Sequence, residues 1–332
     1  MGSSAHTAIS GEPYMPPRGR ARAFVARLRG GDEIAHILTL IFAASIILIT
    51  SLLVYELWVQ SALSRHTFGW HFFVTSVWDP VFEHFGALPF LYGTIVTTVV
   101  SLIIAVPLGV GAAIFLAELA PPRISDALAF VIDLLAAVPS VIYGVLGIFI
   151  VVPFVRTVLG PFLESTLGFL PLFKGPSYGL GVLTASLVLT IMIIPFIISV
   201  SREVLMAVPV DQREAALGLG ATRWESTIRV VVPFARTGIV GSIFLAMARA
   251  LGETMAVTMV IGNDPKISAS LLAPGYSIAA VIANEFTEAT GALYLQALIE
   301  LGLVLFLVTF ILNGVARLLI VATELRGGAS AA

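Results

Sequence analysis

The stretch Arg249-Ala-Leu-Gly-Glu253-Thr254 lies inside an otherwise apolar run from Gly238 to Ile261. A run of this length is enough for a membrane-spanning helix, which needs about 20 apolar residues. A charge at the centre of such a helix costs roughly 2.5–3.5 kcal/mol on insertion scales. Here two opposite charges stand four residues apart, a spacing that sets Arg249 and Glu253 one turn apart on one helix face, where they can pair. They form either a self-neutralising pair that locks a helix bundle or a site for an anionic substrate. Ionisable residues inside a membrane are functional candidates by default, so the anion site is our working expectation.

Composition supports the membrane setting. The 332 residues are 58% hydrophobic and 11% charged, with a mean hydropathy of +1.02, whereas a soluble domain is about 25% charged. The net charge of −2 comes without a basic patch, which argues against nucleic acid as a partner. The absence of cysteine excludes disulfides and thiolate metal sites. His6, His36, His66, His71 and His84 have no metal-ligand spacing, so neither a metal nor a cofactor is expected.

The expected fold is an all-α integral membrane protein with six transmembrane helices. Residues 1–35 form a polar tail whose later part, with Arg22, Arg27 and Arg29, suits a short amphipathic helix on the membrane surface. Spans are expected at about 36–60, 88–117, 127–152, 178–200, 238–261 and 291–321, with a short tail at 323–332. The aromatic loop 61–88 suits a segment at the membrane interface. With the N-terminus inside, the inner segments hold Arg18, Arg20, Arg22, Arg27, Arg29, Arg123, the five arginines of 201–236, Arg317 and Arg326. The outer loops hold Arg65, Arg156, Lys174 and Lys266. The positive-inside rule therefore predicts that both termini and the 201–236 segment are cytoplasmic.

That segment reads as two short helices around a glycine joint. Asp211 with Glu214, and Thr222 with Glu225, each have capping-box spacing, and Gly218 and Gly220 suit a helix end between them. A docking surface for a cytoplasmic partner explains this better than an ordinary loop. Glu214-Ala215-Ala216, Gly220 and, after nine further residues, Val230-Val-Val-Pro233 resemble the EAA loop of ABC-importer permeases, with valine at 230 and 232 where isoleucine and leucine are usual. The resemblance implies that Glu214, Ala215, Ala216, Gly220, Arg223, Trp224 and Pro233 belong to helices that couple to an ATPase subunit. Arg249 to Thr254 is similar to the signature of phosphate-importer permeases. Trp78 to Phe82, Gly86 to Thr94 and Ala136 to Gly144 are similar to the PstC-type subunit rather than its PstA-type partner. The resemblance runs over roughly residues 70–320 and implies a MetI-like permease core, inorganic phosphate as substrate and a bacterial cytoplasmic membrane. It also implies three kinds of partner: a second PstA-type permease, two PstB-type ATP-binding subunits and an external PstS-type phosphate-binding protein.

Arginine suits such a substrate, because its planar guanidinium matches phosphate oxygens bidentately and stays charged. Phosphate near neutral pH still carries a proton and sulfate does not, so Glu253 as a proton acceptor would favour phosphate and repel sulfate. Its other role is simply as the partner of Arg249. Thr254, Thr94 and Thr97 are further candidates for the substrate path, although intramembrane threonines more often bond their own backbone. Asp133 and Glu300 face either the path or a neighbouring helix. The two lysines, Lys174 and Lys266, follow Phe173 and Pro265, so the chain has no phosphate-binding loop and ATP hydrolysis falls to a partner. Two other readings stand beside this one: a permease for sulfate, molybdate or another oxyanion, and a proton-coupled secondary transporter. The latter class often has two-fold repeats, and none is evident here.

Overall fold

A computed structural model describes residues 32–329, so the arginine-rich helix expected before residue 30 lies outside the described residues. The chain divides into two units, Met1–Glu56 and Leu57–Ala332. Among the described residues there is no strand, and six helices are long and apolar enough to cross a membrane. They are the run Ala35–Gln60 within α1 (Asp32–Gln60), α4 (Leu88–Leu119), α6 (Ser140–Leu167), α7 (Val182–Met206), α9 (Arg223–Leu251) and the run Ala292–Val315 within α12 (Ala292–Ala329). Shorter helices lie between them: α2 (Ala62–Phe68), α3 (His71–Val74), α5 (Pro122–Ala136), α8 (Val210–Gly218), α10 (Met255–Thr258) and α11 (Ile278–Glu285). A backbone in hydrocarbon has no water to bond, and a helix satisfies its own polar groups.

Helix α7 is the axis of the second unit. In its most apolar stretch 72% of residues are buried, against 28% or less in the other five long helices, the pattern of a helix apolar on every side. Leu189, Met192, Ile193 and Ile197 fill the core around it. Its small polar residues are bonded within the bundle: Thr190 Oγ1 donates to Ser186 O at 2.7 Å, and Ser201 and Ser242 join α7 to α9 at 2.7 Å. Gly109 lets α4 approach closely, since a Cβ there would meet Ile197 Cγ2 at 2.8 Å. Pro107 and Pro195 lie within continuous helices.

Three expectations change. The third long helix is at Ser140–Leu167 and not at 127–152: α5 ends at Ala136, and the chain leaves the helix through Pro139, which stands just before the first residue of α6. Asp133 lies on α5, where it accepts a hydrogen bond from Ser199 Oγ at 2.8 Å. The run 238–261 is not one helix, because α9 stops at Leu251. The 61–88 loop is not mainly an interfacial belt. Phe72, Trp78, Phe85 and Phe90 form a buried cluster with Tyr276, and both Phe85 and Phe90 lie 4.8 Å from Trp78 between ring centroids. Trp70, Val81 and Phe82 remain exposed.

That cluster joins the 61–88 loop to the segment before α11. Glu285 accepts from Trp78 Nε1 at 2.8 Å and from Tyr294 OH at 2.7 Å. Burial pushes the Tyr276 phenol up to about 12, so it stays neutral while accepting from Asn284 Nδ2. Gly93 of α4 touches the same segment: a Cβ there would lie 2.1 Å from Tyr276 O, whereas one at Gly111 meets nothing within 4 Å. Gly93→Ala should therefore destabilise the purified chain by about 1–3 kcal/mol, the usual cost of overpacking. Gly111→Ala, at an open helix position, should stabilise it by roughly 0.5–1 kcal/mol. Thermal unfolding in one detergent distinguishes the two.

Candidate functional site

The site region begins where α9 ends. Gly252, a poor helix former, follows Leu251, and residues 252–254 leave the helix before α10 starts at Met255. Glu253 Oε1 accepts from Ala256 N at 3.2 Å and so serves as a cap for α10, while Thr254 Oγ1 donates to Gly252 O at 3.3 Å. The break removes Glu253 from the helix face of Arg249. Among the described residues no ion pair or hydrogen bond joins the two, so the pairing that their spacing would allow in a continuous helix does not form. Arg249 is exposed in the last turn of α9, where the helix dipole favours a cation, and Glu253 and Thr254 are half-buried.

A second break faces this one. The chain leaves the helix between α5 and α6 at Ala137–Pro139, and the first turns of α6 lie against α10. A Cβ on Gly144 would sit 2.5 Å from Met259 Sδ and 3.1 Å from Ala256 Cα, so only glycine allows the approach. Tyr143 OH donates to Leu135 O at 2.7 Å. Ala250, Ala256 and Val257 share a core cluster with Leu189, Met192 and Ile193, near the middle of α7. The two breaks therefore meet at the depth of the bundle core.

The threonines of α4 are elsewhere. Thr94 Oγ1 donates to Phe90 O at 2.8 Å and accepts from Ile278 N at 3.0 Å, and Thr97 Oγ1 donates to Gly93 O at 2.7 Å. Both are buried, and the bond from Ile278 N to Thr94 joins α4 to the start of α11, whereas the Thr97 bond stays within α4. They do not line an open face. Glu300 is also buried and accepts from Ser64 Oγ, so helix packing explains it.

The 201–236 segment forms the second candidate region. Helix α7 continues to Met206, and Pro209 caps α8 at its N-terminus without a side-chain bond. The helix starts one residue before Asp211, so the expected Asp211–Glu214 box does not form and Asp211 lies in the first turn. At the other end, Gly220 N donates to Leu217 O at 2.9 Å and Ala221 N to Ala216 O at 3.1 Å, with Gly220 at φ +89°. That pair of bonds is a Schellman closure, which requires the left-handed conformation glycine supplies. The Thr222–Glu225 box is complete: Glu225 N donates to Thr222 Oγ1 at 3.3 Å, and Thr222 N to Glu225 Oε2 at 2.9 Å. It opens α9 directly, so the second short helix is the first turn of a long one. Pro233, which lacks an N–H, follows a widened turn at Thr227–Val231.

Glu214, Ala215, Arg223 and Trp224 are exposed, and Ala216 is buried. A groove of about 520 Å³ runs between α8 and the start of α9, lined by Gln212, Ala215, Leu219, Gly220 and Arg229 among others. Arg213, which the sequence analysis did not single out, pairs with Glu118 at 2.8 Å, and Arg202 pairs with Asp126 at 3.3 Å. Their charges were visible in the sequence, but no spacing connects residues so far apart along it.

Comparison with known proteins assigns these features to a family. Residues 105–321 match the family model described as binding-protein-dependent transport system inner membrane component. The chain is 45% identical over 316 residues to the phosphate transport system permease protein PstC of Mesorhizobium japonicum, covering 94% of this chain and 97% of that one. It is 47% identical to PstC of Pasteurella multocida, covering 87% and 92%. A solved bacterial ABC transporter involved in import of the acidic polysaccharide alginate has the same fold, with a TM-score of 0.55 at 18% identity, covering 89% of this chain and 98% of that one.

The cap at α10 yields a prediction. Glu253→Gln retains an acceptor oxygen for Ala256 N, and its stability should match the parent. Glu253→Ala removes the acceptor and should cost about 1 kcal/mol, the usual loss for a helix cap. Thermal melts of the two variants measure the difference.

Proposed function

The chain belongs to the binding-protein-dependent transport system inner membrane component family, and on that premise we propose how it works as the permease subunit of a phosphate importer. It is a multi-pass membrane protein with no hydrolytic step of its own. Phosphate reaches it from an external binding protein and leaves into the cytoplasm, with both termini and the 201–236 segment on the cytoplasmic side of a bacterial inner membrane. A second, PstA-type permease completes the path, two PstB-type subunits supply ATP hydrolysis, and a PstS-type protein delivers phosphate. The exposed loops around Trp70 and Phe82, and the 262–290 segment, are the surfaces offered to that delivery protein.

The observation that carries this reading is Arg249. It lies exposed at a helix break within an apolar run, with no ion pair to an acid of its own chain among the described residues. Non-helical backbone at membrane depth is tolerated where it lines a water-filled cavity or is buried in protein, and an intramembrane cation faces such a cavity. The guanidinium then meets phosphate oxygens directly. Glu253 uses Oε1 on α10, leaving Oε2 as the oxygen that accepts the proton of hydrogen phosphate. The groove beside α8, lined by Ala215, Ala216 and Gly220 among others, is the seat of the ATPase subunit, with Arg223 and the exposed Trp224 at the start of α9.

The test is labelled phosphate uptake by the reconstituted complex, with ATP hydrolysis followed in parallel. Arg249→Gln should lower uptake about 10–100-fold while the complex still assembles, in line with roughly 1.5–3 kcal/mol for a hydrogen bond to a charged group. Glu253→Gln should let sulfate compete. Uptake that follows a proton gradient without ATP would overturn the importer reading.

A further inference from the structure

Helix α8 projects from the bundle. Its residues are exposed apart from Ala216 and the half-buried Arg213. Arg213 runs from it into the bundle and meets two other helices at once. Its Nη2 donates to Glu118 Oε1 at 2.8 Å, and its Nε lies 3.2 Å and 3.3 Å from the two oxygens of the same carboxylate. Glu118 lies in the widened last turn of α4, Phe115–Leu119. The same guanidinium donates from Nη2 to Leu205 O at 2.8 Å, in the last turn of α7, and from Nη1 to Val208 O, in the turn that follows it. The joint is shielded, with the Glu118 side chain 9% and the Arg213 side chain 21% exposed. Directly inward, Ala113 and Leu116 of α4, Leu205 of α7 and Ala235 of α9 share one core cluster.

We propose that Arg213 is the positioning residue that transmits displacement of α8 to the ends of α4 and α7. The inference rests on the importer reading, in which an ATPase subunit moves α8. A planar fork with five donors can hold a carboxylate and two carbonyls together, and lysine has neither the plane nor the number of donors. Because α4 and α7 end at this one side chain, a pull on α8 moves both together. Without the joint, α8 still presents the same groove to the ATPase, but its movement is no longer carried into the helices that enclose the path.

The experiment uses the whole complex in proteoliposomes, with inorganic phosphate uptake and ATP hydrolysis measured in the same vesicles. Arg213→Gln should keep hydrolysis within about twofold of the parent and lower phosphate carried per ATP about tenfold or more, since the remaining charge stays buried and unpaired. Glu118→Gln should lower the ratio by about threefold, and Arg213→Lys should fall between Arg213→Gln and the parent, because each keeps part of the contact. If Arg213→Gln does not assemble, Glu118→Gln decides alone. Hydrolysis and uptake that fall in proportion in an assembled variant, or an unchanged ratio, overturn the proposal. A parent complex without ATP-dependent uptake overturns the importer reading itself, and the two failures are thereby distinguished.

Discussion

A peptide group in hydrocarbon can bond only to the protein, and each interruption of a membrane helix must therefore be covered by protein or by enclosed water. The chain places two interruptions together, Ala137–Pro139 before α6 and Gly252–Thr254 after α9. Gly144 allows the facing segments to touch, and Glu253 satisfies an amide that the second break would leave bare. A backbone that gives up its regular bonds at this depth, beside an exposed arginine, needs a polar environment.

The axis that supports those breaks is α7, the most buried of the long helices. Its neighbours come to close range at Gly109 of α4 and at the Ser201–Ser242 contact with α9. Small residues at helix contacts bring backbones together where there is no hydrophobic drive between helices, as expected inside a membrane. Charged residues occur near the end of this axis, where Arg202 of α7 pairs with Asp126 at 3.3 Å, and at the shielded Arg213–Glu118 joint beside it.

The long apolar runs and the Thr222–Glu225 box were legible in the sequence because each depends on residues close along the chain. The helix ends were less so. Pro139 and Gly252 each stand in an apolar run that hydropathy alone extends through them, although the helices stop beside both. Arg249 and Glu253 have pairing geometry in a continuous helix, and the break between them cancels it. Asp211 has the spacing of a cap, but Pro209 starts the helix earlier. The aromatic loop suited an interface by composition, whereas its rings found one another and Glu285, more than 200 residues away in the case of Trp78. The resemblance to phosphate-importer permeases rests on residue identities, among them Trp78–Phe82, Ala136–Gly144 and Arg249–Thr254, and so did not depend on where the helices end.

The same helix carries both candidate regions. Helix α9 opens on the Thr222–Glu225 box beside the α8 groove and ends two residues after Arg249. Its 29 residues span roughly 43 Å at 1.5 Å per residue, enough to cross the bilayer. A rigid rod would carry any movement at the groove unchanged to Arg249. The widened turn at Thr227–Val231, followed by Pro233, gives the rod one compliant point near its start. The stiff part beyond it packs on α7 and α4, whose ends meet at Arg213. Arg249 at one end of α9 and Arg213 beside the other are thus linked through packing, with no ion pair running between them among the described residues.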